Sequence, residues 1–345
     1  MPDQSDVRRL PDLASVVLGG SVVYANDETF AAAHNLIAPG PAGHDPESFS
    51  YRGKVYDGWE TRRRRTSGED FAVIRLAAPA LVRAVDVDTA HFTGNYPPFA
   101  SVQATTLLGY PTPDELLATE WTTLINKSAL AGDADNLLPV TTPERLVTHV
   151  RLTIHPDGGV ARLRAYGDVV PDPCLLGGRV DLASVLHGGT VEACSNMFYS
   201  SPANVLAPGR ARVMSDGWET SRRRDDGNDW LTIRLAAPGV LHDVVIDTTR
   251  FVGNAPGWAR LTDAETETEL LPRTRLLPDT EHRLRISSPD AVRLVRLDIY
   301  PDGGLSRVRV NGAVAPDQRA RIAQRWVDLL PPELARTINR DQFFD

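Results

Sequence analysis

Apolar and polar residues alternate over short stretches of this chain. In residues 150–155 every second position is Val, Leu or Ile, and residues 161–166 alternate in the same way after a Pro-Asp-Gly-Gly sequence. A period of two places alternate side chains on opposite faces of a strand, and Asp-Gly supplies the backbone dihedrals of a tight turn. These residues therefore predict two half-buried strands joined as a hairpin. Residues 295–310 repeat the pattern around a second Pro-Asp-Gly-Gly.

Other segments are also short, partly apolar and separated by Pro or Gly. This pattern is typical of an all-β chain whose antiparallel sheets pack as a sandwich or jelly roll. Two segments have helical spacing instead, residues 113–119 and residues 317–330. In the second of these, Ile322, Trp326 and Leu330 share one face. We expect this C-terminal helix to pack across the rest of the chain or at a subunit contact.

The chain is an internal duplication. The nine residues 57–65, Asp-Gly-Trp-Glu-Thr-Arg-Arg-Arg-Arg, return at 216–224 with one change, Ser221 in place of Arg62. We call this sequence the tryptophan motif. Other landmarks recur in the same order: Asp-Leu-Ala-Ser-Val at 12–16 and 181–185, Phe-x-Gly-Asn at 92–95 and 251–254, and Pro-Asp-Gly-Gly at 156–159 and 301–304. Ordered recurrence of this kind indicates two copies of one domain.

The duplication sets the predicted domain boundaries. We expect a first repeat over residues 1–170, a second over residues 174–315 and a C-terminal helical extension over residues 316–345, with Pro171-Asp172-Pro173 as a stiff linker. The second copy is shorter before the tryptophan motif and before the last turn, where loops are expected. A length of 345 residues is enough for two domains that each have a core.

The composition excludes several classes of protein but does not indicate a function. An apolar content of 42% with mixed charges predicts a globular protein, and the net charge of −8 argues against a nucleic-acid partner. Residues 1–15 have no apolar core of a secretory signal, and no apolar run is as long as a membrane span. Cys174 and Cys194 lack a metal-binding or redox spacing, so free thiols in the cytoplasm are expected.

The tryptophan motif carries the most chemistry. If it were one extended strand, Asp57, Trp59, Thr61 and the arginines Arg63 and Arg65 would lie on one face, with Glu60, Arg62 and Arg64 on the other. Arginine binds carboxylates and ureido carbonyls through two hydrogen bonds, and an aspartate can exchange a proton with a bound substrate. The alternative is a buried Trp with arginines in ion pairs to nearby acids. Because packing does not require so many polar identities, the motif favours function.

Further candidates lie at predicted loop ends. Asp88 follows an apolar strand and has the counterpart Asp247, and both could instead cap an Asx turn. His91 is replaced by Arg250 in the second copy, so the first copy has the richer set of acids and bases. The Pro-Asp-Gly-Gly sequences are explained by a turn, and Arg162 and Arg307 follow them in position to meet a ligand.

The sequence gives little indication of other kinds of chemistry. The sequence has no GxSxG, HExxH, Walker or dinucleotide-binding motif, and its eight histidines are scattered. Metal ligands are therefore unknown.

Taken together, these motifs resemble those of the allantoicase (allantoate amidinohydrolase) family. The likeness rests on residues 35–40, 57–63, 88–95 and 151–162 and their counterparts, and covers roughly residues 12–312. It implies two tandem β-sandwich repeats of the galactose-binding-like jelly-roll type. It also implies a hydrolase acting on carbon–nitrogen bonds of linear amidines, which converts allantoate to ureidoglycolate and urea in purine breakdown. Ser221 and the short loop before Asp216 depart from the pattern of the first copy.

The resemblance and the residue chemistry together suggest roles. Asp57 and Asp88 are expected to transfer protons, with His91 as a further base. The expected substrate-binding residues include both copies of the recurring positions: Trp59, Glu60, Arg63, Arg65, Asn95, Arg162, Asp216, Trp218, Glu219, Arg222, Arg224, Asp247, Asn254 and Arg307. The resemblance also implies allantoate as the partner, a homo-oligomer, and a divalent cation such as Mn²⁺ as an optional cofactor.

Two other classes remain open at this stage. Paired jelly rolls serve as carbohydrate- or ligand-binding modules, although these use exposed aromatic platforms and aromatics are only 7% here. A relative that has lost catalysis and acts as a scaffold is the third alternative. Release of urea from allantoate distinguishes the hydrolase from both.

Overall fold

The computed structural model describes residues 7–51 and 53–345. These residues form two compact units: one runs to Val170 and includes Leu329–Glu333, and the other comprises Pro171–Asp328 and Leu334–Asp345. Each unit contains one copy of the repeat. The predicted domain limits, including a separate extension from 316, stay predictions. Residues 1–6, part of the stretch in which no secretory signal was found, lie outside the described residues.

The first repeat is built from antiparallel strands. Its strands are β1 Ser21–Ala25, β2 Phe49–Ser50, β3 Gly53–Lys54, β4 Trp59–Glu60, β5 Asp70–Asp88, β6 Phe99–Thr105, β7 Thr122–Ala129, β8 Asp135–Pro139, β9 Val147–His155, β10 Gly159–Val160 and β11 Arg162–Val169.

Strand β5 belongs to both layers of the sandwich. Its first half pairs with β1 and β9, and β9 continues through β6 to β7. Its second half pairs with β11 and β8. The partners change at a register shift between Arg75 and Ala80, around Pro79, because proline cannot donate to a ladder. Trp59, Ile74, Val85 and Leu152 are fully buried in the core between these strands.

The second repeat has the same plan. Its strands are β12 Val180–Asp181, β13 Thr190–Cys194, β14 Trp218–Glu219, β15 Asp229–Asp247, β16 Trp258–Asp263, β17 Glu269–Arg275, β18 Glu281–Arg285, β19 Val292–Tyr300, β20 Gly304–Leu305 and β21 Arg307–Val314. Here β15 is the shared long strand, paired with β13 and β19 in one half and with β18 and β21 in the other. The predicted all-β fold of two tandem antiparallel sandwich repeats is confirmed.

The described helices include α1 Pro113–Ala118 between strands and α2 Pro316–Leu329 and α3 Pro332–Thr337 after the last strand. Short 3₁₀ turns lie at Ala33–Ile37, Pro173–Leu175, Val185–His187, Pro202–Leu206, Met214–Asp216 and Arg340–Gln342. Thr112 and Glu115 form a capping box at the start of α1. Both predicted helices are confirmed, and Trp326 of α2 is buried. Packing of α2 across the rest of the chain or at a subunit contact stays a prediction.

The predicted hairpins are wrong. β9 pairs with β5 and β6, whereas β11 pairs with the other half of β5, so the two strands do not pair with each other. The Pro-Asp-Gly-Gly sequence between them instead carries the chain from one layer to the other. Its last glycine forms β10 against β4, and a Cβ on Gly159 would lie 2.0 Å from the Phe92 ring. Alternating polarity does not reveal the pairing partner of a strand.

Two other expectations concern the cysteines and membrane-spanning helices. Cys174 and Cys194 are free thiols, as predicted. Among residues 7–51 and 53–345, no helix combines the length and the apolar character needed to cross a bilayer.

Candidate active site

The tryptophan motif is a short strand followed by an irregular segment. Only Trp59 and Glu60 pair with β10, while Trp59 and Thr61 are buried and Arg63 and Arg65 are exposed. The expected arrangement, with all five odd-numbered side chains on one face, is therefore wrong. The period of two holds only where a strand is paired, and here pairing ends after two residues.

The two tryptophans are core residues. Trp59 and Trp218 are fully buried. Their indole N–H groups donate to the backbone oxygens of Asp27 and Asn196, each over 2.8 Å. Neither side chain has exposed surface, so both contribute to the core, and substrate binding by Trp59 and Trp218 stays a prediction.

The arginines of the motif fall into two groups. Arg62 forms an ion pair with Asp27, and Arg64 forms one with the buried Asp70. In the second copy Arg223 pairs with Asp229 in the same way. The other four arginines are exposed, and within the described residues no hydrogen bond or ion pair engages them; they are Arg63, Arg65, Arg222 and Arg224. These four guanidiniums are available to a ligand.

Glu60 and Asn95 connect the motif to the loop after β5. The Asn95 amide donates to Glu60 over 2.6 Å, and Asn254 donates to Glu219 over 2.5 Å in the second copy. Burial raises the pKa of Glu60, against the effect of the Asn95 hydrogen bond. Because the pair recurs in both repeats with the same geometry, its clearest effect is to hold two loops together.

Asp57 and Arg162 form the center of a polar cluster in the first repeat. Arg162, 2% exposed, donates from Nη2 to Asp57 Oδ2 over 2.6 Å and from Nη1 to the Asp57 backbone oxygen over 2.9 Å. The amide of Gly43 donates to the same carboxylate over 2.8 Å. Burial pushes the pKa of Asp57 up, but the bonds from Arg162 and Gly43 outweigh it and leave the pKa below its ordinary value.

A pair of stacked histidines adjoins Asp57. The rings of His44 and His91 lie 4.9 Å apart and nearly parallel, and His91 Nε2 lies 3.1 Å from the Ala42 backbone oxygen. When its ring is protonated, His91 lowers the pKa of Asp57 through its charge. His91 has a φ of 69°, which its amide supports by donating to Asp133 Oδ1 over 2.7 Å. The imidazole is therefore held at the cluster by its own backbone.

Asp88 lies across the strand pair from Arg162. The two residues are register partners in the β5–β11 ladder. Asp88 Oδ1 accepts from the Ala90 amide over 2.7 Å, so the Asx-turn interpretation holds. Burial raises the pKa of the half-buried Asp88 carboxyl, and the negative charge of Asp135 adds to the rise. Asp57 and Asp88 therefore have pKa values displaced in opposite directions.

The second repeat lacks an equivalent cluster. The Asp216 carboxylate is held by Arg212, through Nε and through the backbone amide at 3.0 and 2.9 Å. Arg307 is buried and donates to backbone oxygens, including that of Asp216 over 2.6 Å. Asp247, 2% exposed, caps Thr249 through its carboxylate. Asp247 and Arg307 are therefore engaged within the fold, and substrate binding by them stays a prediction.

Comparison with known proteins identifies the fold family. The sequence profile described as "Allantoicase repeat" matches residues 11–170 and 180–315. The chain is 54% identical over 310 residues to a probable allantoicase of Nocardia farcinica, covering 88% of this chain and 94% of that protein. The chain belongs to the allantoicase family.

Two further relatives support this. A probable allantoicase of Streptomyces avermitilis is 47% identical over 336 residues, covering 92% of this chain and 89% of that protein. The crystal structure of allantoicase from Saccharomyces cerevisiae superposes with a TM-score of 0.78 at 33% identity, covering 90% of this chain and 98% of that chain.

Sequence reasoning missed several residues of this candidate site. His44 and Gly43 lie in residues 41–56, which in the second copy are replaced by the shorter 210–215. Asp133, whose counterpart Asp279 also accepts from a residue with positive φ, fixes the His91 backbone. The greater length of this loop in the first copy could have indicated His44, because loop insertions at one end of a sandwich often carry function.

The described residues do not form a metal centre. In residues 7–51 and 53–345, three or more His, Cys, Asp or Glu side chains nowhere come together in a way that would hold an ion. Stacking places His44 and His91 face to face, whereas ligands of one ion point their nitrogens at a common center.

Proposed function

We propose that the protein hydrolyses allantoate to ureidoglycolate and urea, and that the reaction takes place at the Asp57–Arg162 cluster of the first repeat. Membership of the allantoicase family supports the reaction. A difference between the two repeats supports the first repeat as the location of the reaction. Both aspartates accept from an arginine, but Asp57 adjoins two histidines and keeps 40% of its side-chain surface, whereas Asp216 keeps 16%.

The substrate determines what the site must supply. Allantoate has one carboxylate and two ureido groups on a methine carbon. Hydrolysis breaks one carbon–nitrogen bond, puts the water oxygen on the methine carbon and gives the departing urea nitrogen a proton. The site needs guanidinium groups for the carboxylate, a base for water and an acid for the leaving group. The exposed Arg63 and Arg65 are our candidates for the carboxylate.

Asp57 is assigned as the base. Its lowered pKa keeps it ionised near neutral pH, and it retains 40% of its side-chain surface. Arg162 is nearly buried and directs its donors to Asp57 and to backbone oxygens. We therefore assign Arg162 to positioning Asp57 rather than to substrate binding. His91 lies close enough to influence the charge on Asp57 and is the second candidate base.

Asp88 is assigned as the acid. A carboxyl with a raised pKa keeps its proton to higher pH, which suits donation to the urea nitrogen. Two carboxyls with oppositely displaced pKa values are the usual division of labour between an acid and a base.

The role of Asp88 predicts a pH dependence. In the wild type, kcat should fall as the pH rises through the pKa of Asp88, because the carboxylate has no proton to donate. Asp88→Asn should lower kcat about 100-fold and remove this falling limb. The Asn side chain retains an oxygen to accept from Ala90, so folding is expected to persist. Steady-state kinetics across pH checks this, with Asp247→Asn as the matched control. An unchanged falling limb in Asp88→Asn would exclude the role.

Three further features are proposals. The cytoplasm as the compartment, a homo-oligomeric state and assistance by a divalent cation such as Mn²⁺ all stay predictions. An assay of product release with and without Mn²⁺ tests the cation together with the reaction.

That assay incubates the purified protein with allantoate, alone, with Mn²⁺ and after chelation, and quantifies both products. We expect urea and ureidoglycolate in equal amounts. A rate that falls on chelation and returns with Mn²⁺ would establish metal dependence. Folded protein that releases no urea in any arm would remove the hydrolase and leave the binding or scaffold alternatives.

A further inference from the structure

A second group of reactive side chains lies on the first repeat. His155 Nδ1 is 2.5 Å from Glu69 Oε1, and His155 Nε2 is 2.9 Å from Ser101 Oγ. Ser101 is on β6, His155 ends β9 and Glu69 immediately precedes β5. A hydroxyl, an imidazole and a carboxylate joined in this order are the components of a base-activated nucleophile.

The hydrogen bonds determine the tautomer of His155. Glu69 can only accept at Nδ1, so the ring proton lies there and Nε2 is the lone-pair nitrogen facing the Ser101 hydroxyl. The side chain of His155 is 10% exposed and that of Glu69 is 50% exposed. The imidazole is therefore fixed between two partners, while Ser101 remains partly exposed at the surface.

The backbone around Ser101 is irregular. The β6–β7 ladder pairs Ala100 with Ser128 and Val102 with Ile125, and its register shifts between them, so Ser101 has no register partner in β7. Irregularities of this kind redirect side chains and are frequent beside active sites. A regular strand would give Ser101 a partner on both sides.

The surface beside Ser101 offers a place for an apolar group. Phe99, which pairs with His155 across the β6–β9 ladder, is 40% exposed. The ammonium of Lys127 lies 5.3 Å from the center of its ring. An aromatic group with electron-withdrawing or anionic character would fit this combination of an aromatic face and a cation.

The second repeat has other residues at these positions. Arg260, Tyr300 and Asn228 replace Ser101, His155 and Glu69, and Arg273 stacks on the Tyr300 ring at 4.2 Å. The arrangement is therefore not required by the repeat fold. A sandwich of the same topology forms in this chain without it.

We propose that Ser101, His155 and Glu69 form an acyl-transfer site that accepts activated aryl esters. Ser101 Oγ forms a bond to the acyl carbon while the bond from that carbon to the aryl oxygen breaks. The hydroxyl proton passes to His155 Nε2 and then to the departing aryloxide, which leaves as a phenol. Water, deprotonated by His155, then hydrolyses the acyl-serine to a carboxylic acid and restores the hydroxyl. Glu69 holds the imidazole and balances its charge while it is protonated.

The test uses 4-nitrophenyl acetate and a fluorophosphonate with the full-length protein. We expect a burst of one nitrophenolate per chain and a single phosphonyl adduct located on Ser101 by peptide mass spectrometry. Ser101→Ala should abolish both. His155→Gln should slow adduct formation at least about tenfold, because general-base assistance is lost.

The matched control is Ser128→Ala, since Ser128 lies on the neighbouring strand with its hydroxyl directed to the Asn126 backbone oxygen. This variant should label like the wild type. Circular dichroism establishes that each variant is folded. Folded wild-type protein without an adduct on Ser101, or equal labelling rates in the wild type and His155→Gln, would overturn the proposal. Because neither reagent involves Asp57 or Asp88, failure here leaves the allantoate reaction unaffected, and the urea assay tests that reaction separately.

Discussion

Asp57→Asn should lower kcat for allantoate by about 100- to 10,000-fold, the usual contribution of a positioned acid or base. Asp216→Asn, the same substitution in the second copy of the motif, should leave kcat near its wild-type value. The contrast follows from the surroundings of the two carboxylates. Asp57 is held by a buried arginine beside two histidines, whereas Asp216 is engaged by the exposed Arg212 four residues earlier.

The substitution by asparagine distinguishes loss of catalysis from loss of folding. Asparagine retains an oxygen that can accept from Arg162 Nη2 and Gly43, so the loop contacts persist while the basic carboxylate is lost. Thermal unfolding followed by circular dichroism controls for structural damage, and kcat is measured from urea release. If Asp216→Asn lost as much activity as Asp57→Asn, the first repeat would not be the sole site of reaction. If neither lost activity, the motif aspartate would have no catalytic role.

The duplication is the part of the architecture that the sequence predicted best. Recurring landmarks from Asp12 to Pro156 and from Asp181 to Pro301 indicated two equivalent units, and the structure has two units with matching long strands. Periodicity found the strands and both predicted helices because each depends on local side-chain spacing. It did not find which strands pair, since pairing depends on contacts between distant residues.

The site was predicted only in part for a similar reason. Asp57, Asp88 and His91 were selected by residue type and position, and the structure places Asp57 beside His91 and Asp88 opposite Arg162. The stacking of His44 on His91 could not be foreseen, because it depends on how the loop 41–56 folds back. Residue type also does not reveal burial: Arg162 and Arg307 are nearly buried and donate to backbone oxygens that hold loops in place.

The tryptophans show how a shared motif can serve structure and chemistry at once. Glycine, tryptophan and threonine of the motif are buried or paired in both repeats, while the flanking aspartates differ in their surroundings. Packing therefore explains why the second copy keeps these three residues. The same reasoning yields a prediction about stability.

Trp59→Ala should lower the free energy of unfolding by about 3–5 kcal/mol, the cost of removing a large buried aromatic side chain. Trp59 is fully buried within the cluster that includes Leu36 and Val160. Trp59→Phe should cost less, about 1–3 kcal/mol, mainly because the Asp27 backbone oxygen loses the indole N–H.

Guanidinium chloride unfolding followed by circular dichroism checks both values, with Trp218→Ala as the counterpart in the second repeat. Because Trp218 is equally buried and donates to the Asn196 backbone oxygen over the same distance, its loss should destabilise its own repeat by a similar amount. Trp218→Ala should nevertheless leave the Asp57–Arg162 cluster of the first repeat intact below the unfolding transition, so urea release at low temperature should persist. A destabilisation by Trp59→Ala of less than about 1 kcal/mol would contradict the core role, because cavities of this size are rarely compensated by relaxation.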